Sequence, residues 1–175
     1  SLLNFRGPLI QRLRDSCHHV IAATAPDENS DQVATALSDW GVEYRTVDLT
    51  RGGTNPLADI RTFRAIQALL RDTRPDILLA YTAKPVIYGG MAAQTIAGVR
   101  FFPIITGLGY AFTPGAGAKR RAVRAILTRL YRWSLRGAER VIFQNPDDQA
   151  LFGELGLLPN AGRGTRVHGS GVDCE

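Results

Sequence analysis

The sequence predicts an α/β fold in which a doubly wound parallel sheet carries helices on both faces. Three observations predict it. Short runs rich in β-formers alternate along the chain with helical patterns of ten or more residues. One of those runs, Ile77 to Tyr81, is continuously apolar, as suits a parallel strand covered on both faces. Another, with Phe101, Phe102, Ile104 and Ile105, ends abruptly in Thr106-Gly107-Leu108-Gly109-Tyr110. A buried strand that empties into a glycine-rich turn is how open α/β sheets place a ligand crevice beyond the carboxyl ends of their strands.

The elements follow in order. Leu9, Ile10 and Leu13 give a helical pattern with Pro8 suited to its first turn, and no strand precedes it. His19 to Thr24 is a short strand closed by Ala25-Pro26-Asp27. Val33, Ala34, Leu37 and Trp40 recur at helical spacing up to Gly41, and Val42 to Leu49 alternates as a strand. After the loop Arg51 to Pro56, the positions Leu57, Ile60, Phe63, Ile66, Leu69 and Leu70 make an amphipathic helix ending near Arg74. Pro75-Asp76 resets the chain for strand 77–81, and Thr82-Ala83-Lys84-Pro85 leads into a helix over about 86–97. Its small residues Gly89-Gly90-Met91-Ala92-Ala93 allow close packing on a sheet. Beyond the central strand, a basic helix spans 118–137 with the apolar stripe Val123, Ile126, Leu127, Leu130, Tyr131 and Leu135. Arg140 to Gln144 is a strand, Asn145-Pro146-Asp147-Asp148 starts a helix that stops near Gly156, and Arg163 to His168 is a final strand. The count is five strands, or six with the tail.

At 175 residues and 45% hydrophobic, the chain fits one domain with a full core. It holds no run of 18 apolar residues and no basic-then-apolar leader, so a cytoplasmic location is expected. Cys17 and Cys174 are far apart, and the consecutive Cys17-His18-His19 would point to opposite faces of a strand, which argues against zinc and disulfide chemistry. No Ser-His-Asp or Cys-His arrangement can be argued. The net charge of +5 is concentrated: residues 119–140 hold Lys119, Arg120, Arg121, Arg124, Arg129, Arg132, Arg136 and Arg140 against Glu139 alone. Such a surface can meet nucleic acid, anionic lipid headgroups or a phosphorylated substrate. Without a base-stacking platform or recognition-helix motif, nucleic acid is the least favoured of the three.

The candidate site residues lie after the strands. The glycine turn 106–110 lacks the third glycine of a dinucleotide fingerprint and any Gly-Lys-Ser/Thr, so its position rather than its pattern gives it weight. Thr82, Lys84 and Tyr88 follow the adjacent strand. Lys84 is one of two lysines in the chain, and its compact ammonium can meet a phosphate as a point charge. Asn145 follows another strand, where a helix cap accounts for it together with Asp147 and Asp148.

Five stretches together resemble the amino-terminal domain of family-four glycosyltransferases, the retaining enzymes of the two-domain, Rossmann-like GT-B fold. They are Leu3 to Ile10 (LNFRGPLI), Thr82 to Gly90 (TAKPVIYGG), Ile105 to Phe112 (ITGLGYAF), Val141 to Asp148 (VIFQNPDD) and Gly169 to Asp173 (GSGVD). The similarity covers essentially the whole chain and is nearest the bacterial branch that builds capsule, exopolysaccharide or lipopolysaccharide units on a lipid carrier. It implies transfer of a sugar from a nucleotide-sugar to a lipid-linked or glycan acceptor, with no cofactor and no required metal. Residues 1–175 would be the acceptor-side half, with the donor domain outside them and no activity in the isolated half. Arg6, Thr82, Lys84, Tyr88, Thr106, Gly107, Leu108, Gly109, Tyr110 and Asn145 are then the cleft candidates. Arg120, Arg124, Arg129, Arg132 and Arg136 would face an anionic membrane at the inner face of the cytoplasmic membrane. A homodimer is left open, and no general base is assigned, since Thr106 and Tyr110 stand where some relatives carry histidine or aspartate. Two departures accompany the resemblance: no first strand precedes Leu3-Asn4-Phe5-Arg6, so a gap between two neighbouring strands, or another chain that fills it, is expected, and Cys174-Glu175 stops where a linker would begin. A GT-B sugar-nucleotide epimerase and a non-catalytic basic membrane-binding module are the alternatives.

Overall fold

The computed structural model describes residues 2–49, 55–107, 112, 117–158 and 162–169. Among the described residues, helices and parallel strands alternate, as expected, and the strands pair in two separate ladders, β1-β2 and β3-β4-β5-β6. The residues fall into two compact units, 1–65 with 169–175, and 66–168.

The first unit contains α1 (Leu2–Asp15), β1 (Ile21–Thr24), α2 (Ser30–Asp39), β2 (Glu43–Thr46) and the start of α3 (Pro56–Thr73). β1 and β2 pair in parallel, with Ile21 opposite Glu43 and Thr24 opposite Thr46. Ile10, Ala22, Leu37 and Val42 form the core, flanked by Leu2, Leu3, Val20, Val33, Trp40 and Tyr44. α2 stops at Gly41, whose φ of 68° suits a residue without a Cβ. Contrary to expectation, α1 begins at Leu2 and contains Pro8 in its interior. The ring removes one helical hydrogen bond, but Leu3, Gly7 and Ile10 share a face that burial against Trp40 and Leu37 rewards. Gly7 sits so close that a Cβ there would lie 3.2 Å from the Trp40 ring.

The second unit holds the end of α3, β3 (Ile77–Tyr81), α4 (Ala83–Ala93), β4 (Arg100–Ile105), α5 (Ala118–Ser134) with a 3-10 turn at Leu135–Gly137, β5 (Val141–Phe143), α6 (Pro146–Glu154) and β6 (Gly164–Arg166). All four strands are parallel: Tyr81 lies beside Ile104, Ile105 beside Phe143, and Phe143 beside Arg166. α4 is buried from Val86 to Ala93 because its small residues admit neighbours on two sides. Gly89 faces Leu78 and Ala80 of β3, and Gly90 faces Ser134 of α5 and Phe101 of β4. Phe101, Phe143, Phe152, Tyr131 and Leu135 complete this core.

Several expected core positions are exposed instead. Leu57, Ile60 and Ile126 are 69%, 48% and 58% exposed. Periodicity marks them as apolar, but the buried sector of α5 centres on Tyr131 and Ser134, which leaves Ile126 on the outer side. Nor is β3 covered throughout. Among the described residues it ends its ladder, with Ile77 exposed and only Ala80 buried.

Candidate functional site

Because β3 to β6 run parallel, their carboxyl ends lie along one edge, and the chain leaves each strand there. Thr82 follows β3, Thr106 and Gly107 follow β4, and Asn145 lies two residues after β5. Open parallel sheets bind ligands at this edge.

Thr82 has φ 68° and ψ 162°, a conformation that a β-branched residue adopts only under strain. It turns the chain from β3 directly into α4, and its carbonyl already accepts the Val86 amide at 3.0 Å. Pro85, in the first turn of α4, needs no hydrogen-bond acceptor. The amides of Ala83 and Lys84 therefore begin the helix at the edge, where backbone N–H groups and the helix dipole favour negative charge. Lys84 is half-buried beside them.

Thr106 is half-buried at the end of β4, and Gly107 beyond it is exposed. Gly107 has φ 145°, a backbone state that favours glycine, and a Cβ there would meet nothing within 4 Å among the described residues. Leu108, Gly109 and Tyr110 lie outside the described residues. Asn145 caps α6: its Oδ1 accepts the Asp148 amide at 2.8 Å, and its Nδ2 donates to Asp148 Oδ2 at 2.7 Å. The cap expected from sequence is thus present, and it holds the side chain at the edge.

Tyr88 and Arg6 are the remaining cleft candidates among the described residues. Tyr88 is buried within α4. Arg6 belongs to the other unit, on α1, where its Nη1 donates to the Phe5 carbonyl at 3.2 Å. The edge residues brought together are Thr82, Lys84, Thr106, Gly107 and Asn145.

Behind this edge lies an aromatic column for which the sequence carries no spacing signal. Phe112, Tyr131, Phe152 and Phe143 meet in successive edge-to-face contacts, with centroids 6.3, 5.4 and 5.3 Å apart. Burial, with the Asp148 charge second, pushes the Tyr131 phenol well above its ordinary pKa. The neutral phenol and its ring neighbours give α6 and its cap a rigid backing.

Of the basic residues on α5 and the 3-10 turn after it, Arg129, Arg132 and Arg136 are exposed, whereas Arg120 and Arg124 are half-buried. The Arg124 guanidinium lies 5.9 Å from the Phe112 ring centroid, and Arg132 Nη2 donates to the Leu155 carbonyl at 3.0 Å. A hollow of about 560 Å³ lined by Arg71, Arg74, Asp76 and Val99 lies at the opposite, amino-terminal end of β3 and β4, away from the edge where parallel sheets bind ligands. Among the described residues no three His, Cys, Asp or Glu side chains gather to hold a metal ion, and no helix is long and apolar enough to cross a membrane.

Comparison with known proteins agrees with the parallel α/β fold. The chain is 27% identical over 160 residues to N,N'-diacetylbacillosaminyl-diphospho-undecaprenol alpha-1,3-N-acetylgalactosaminyltransferase of Campylobacter jejuni, a match that covers 91% of the chain and 41% of that protein. Its fold is similar to that of MurG from Acinetobacter baumannii, with TM-score 0.55 and 14% identity over 95% of this chain and 42% of the other. It is similar as well to a Listeria monocytogenes protein assigned as a UDP-N-acetylglucosamine 2-epimerase, with TM-score 0.54 and 17% identity over 87% and 39% of the two chains. The chain thus spans less than half the length of each of these proteins. The model of the "Glycosyl transferase 4-like domain" matches residues 6–168, and the chain belongs to that family.

Proposed function

We propose that the chain is the acceptor-side half of a glycosyltransferase that moves a sugar from a nucleotide-sugar to a lipid-linked diphosphate acceptor. The observation that carries this reading is the gathering of Thr82, Lys84, Thr106, Gly107 and Asn145 on one edge of a parallel sheet in a chain of this family. In the reaction, an acceptor hydroxyl oxygen bonds to the anomeric carbon as the bond from that carbon to the donor diphosphate breaks. The nucleoside diphosphate leaves with the electron pair, and the hydroxyl proton passes to a phosphate oxygen or to water. Lys84 and the first amides of α4 supply positive potential where acceptor phosphates enter. Thr106 and the amide of Gly107 are placed to contact acceptor sugar hydroxyls. No metal or cofactor enters this scheme.

The name of the Campylobacter relative describes an undecaprenol-linked diphosphate as acceptor, which supports a lipid-linked acceptor here. With it goes a peripheral location on an anionic, cytoplasm-facing membrane surface, met by the basic side of α5. The donor is held by chain outside residues 1–175, so the isolated segment turns over no nucleotide-sugar.

The test is to incubate the full-length protein with a panel of nucleotide-sugars and a membrane lipid extract, following nucleoside diphosphate release. Release that requires one donor and the lipid fraction is the expected result. Interconversion of a nucleotide-sugar without lipid would replace this reading by the epimerase. Neither release nor interconversion with any donor, from folded protein, would overturn both.

A further inference from the structure

Opposite the candidate site, the hollow at the amino-terminal ends of β3 and β4 measures about 560 Å³. The end of α3 forms one wall through Arg71 and Arg74, and the turn after α4 forms another through Ile96, Gly98 and Val99. Arg71 stands in the last turn of α3, where a cation complements the helix dipole. Arg74, just beyond the helix, has a φ of 42°, a left-handed state that strains a residue with a Cβ and in which helices usually stop on glycine. The backbone alone makes this stop, with the Arg74 amide donating to the Leu70 carbonyl at 3.0 Å. Glycine would serve that purpose with less strain. Both arginines are exposed, and among the described residues neither guanidinium has an oxygen partner.

The hollow is not simply basic. Asp76 adds a carboxylate to its lining, and the end of α3 leaves carbonyl groups without intrahelical donors. Guanidinium donors and oxygen acceptors thus stand together, beside the apolar Ile96 and Val99. A phosphate, free or on a lipid, offers acceptors alone, and it would meet the Asp76 charge and the negative end of the helix. An extended peptide offers both kinds of group. Its acidic side chains suit the arginines, and its backbone N–H groups suit the carbonyls.

We infer that this hollow docks a short, extended acidic segment of a partner protein, with one carboxylate taken by Arg71 and Arg74. A second carboxylate meets Arg100 at the start of β4. The Arg100 side chain is 58% exposed, and its Nε lies 3.9 Å from Glu139 Oε1, too far for a hydrogen bond. β3 is five residues long, about 17 Å, so the segment and an acceptor at the carboxyl edge occupy opposite ends of the sheet. The interaction goes beyond the proposed reaction and does not depend on it.

The experiment is selection of a displayed random-peptide library on the full-length protein, after depletion on the variant that combines Arg71→Gln with Arg74→Gln. Enriched peptides are expected to carry acidic residues. By fluorescence anisotropy, such a peptide should bind the glutamine pair at least about tenfold more weakly than the parent, and binding to the parent should weaken with salt. Arg129→Gln with Arg136→Gln removes the same charge from another surface and should leave the affinity within about twofold. All four positions are exposed, so both pairs should keep the circular dichroism and urea midpoint of the parent. Arg74→Gly should lower the affinity while holding or raising the urea midpoint, because glycine adopts this φ without strain. No enrichment over the depleted library, or enriched peptides without acidic residues, would overturn the inference. So would an equal loss of affinity in the Arg129 and Arg136 pair, which would make the contact net charge alone. Displacement by inorganic phosphate at constant ionic strength would overturn it by making the hollow a site for a small anion. A lower midpoint in Arg74→Gly would do so by making the arginine a structural residue. Self-association of the parent that is lost in the glutamine pair would also overturn it, since the occupant would then be a second copy of this chain.

Discussion

Ser134 Oγ, on α5, donates to the Val86 carbonyl of α4 at 2.6 Å, at a crossing so close that a Cβ on Gly90 would lie 2.2 Å from that same oxygen. Gln94 Nε2 fastens the crossing from its open side by donating to the carbonyls of Gly90, Trp133 and Ser134. α4 starts at the candidate site and α5 carries the basic surface, so this contact sets one against the other.

Gly90→Ala should therefore destabilise the protein strongly. The added methyl would also meet the Ser134 carbonyl at 2.8 Å and Phe101 at 2.5 Å, so relaxation must move backbone, at a cost of about 3 kcal/mol. Ser134→Ala alone should cost about 1 kcal/mol through the lost buried hydrogen bond. The double variant should cost less than the sum, because the nearest clashing atom is gone. Urea midpoints check this, and strict additivity would show that the crossing yields elsewhere.

Thr82→Gly should raise stability by about 1 kcal/mol, since glycine adopts the observed φ and ψ without strain and gives back part of the gain in unfolded-chain entropy. Thr82→Ala should leave stability close to that of the parent. If the glycine variant melts earlier, the threonine side chain holds the turn by contacts that outweigh its backbone strain.

Stability should fall at alkaline pH through Tyr131. The raised phenol pKa means that the folded protein keeps this proton where the unfolded chain has lost it. The contribution is intact below about pH 10 and declines above it by about 1.4 kcal/mol per pH unit. Tyr131→Phe should remove that part of the slope. Urea titrations at increasing pH, compared between the two proteins, measure it, and identical slopes would contradict the burial of the phenol.

Lys84→Ala should reduce kcat/KM of the full-length enzyme about a hundredfold, as loss of a positioned donor to developing or bound anionic charge commonly does. Full activity in this variant would remove Lys84 from the site.

Much of the fold was legible from periodicity and turn chemistry. The strand Ile77–Tyr81 has the bounds expected from its apolar run and its flanking Pro75-Asp76 and Thr82. Gly41 and Gly156 end helices with positive φ, and Asn145 caps α6. These features depend on neighbours in the chain, so local sequence carries them. That Thr82, Thr106 and Asn145 each follow a strand was legible too, and parallel strands bring them to one carboxyl edge. The burial of Tyr88, six residues after the turn at Thr82, was not legible, because it depends on what packs against α4.

What the sequence by itself determined is the alternation of strands and helices, the small-residue face of α4 and the basic character of α5. Each follows from spacing within one element. Only the tertiary structure decided which side of α5 faces outward, and so that Ile126 and Trp133 are both exposed. It alone decided that Gly90 receives Ser134, and that Tyr131 is backed by Phe152 near Asp148. The physical reason is common to all three. A helical pattern states that one sector prefers burial, but which sector is covered depends on the side chains that pack against it, and those are brought there from distant parts of the chain.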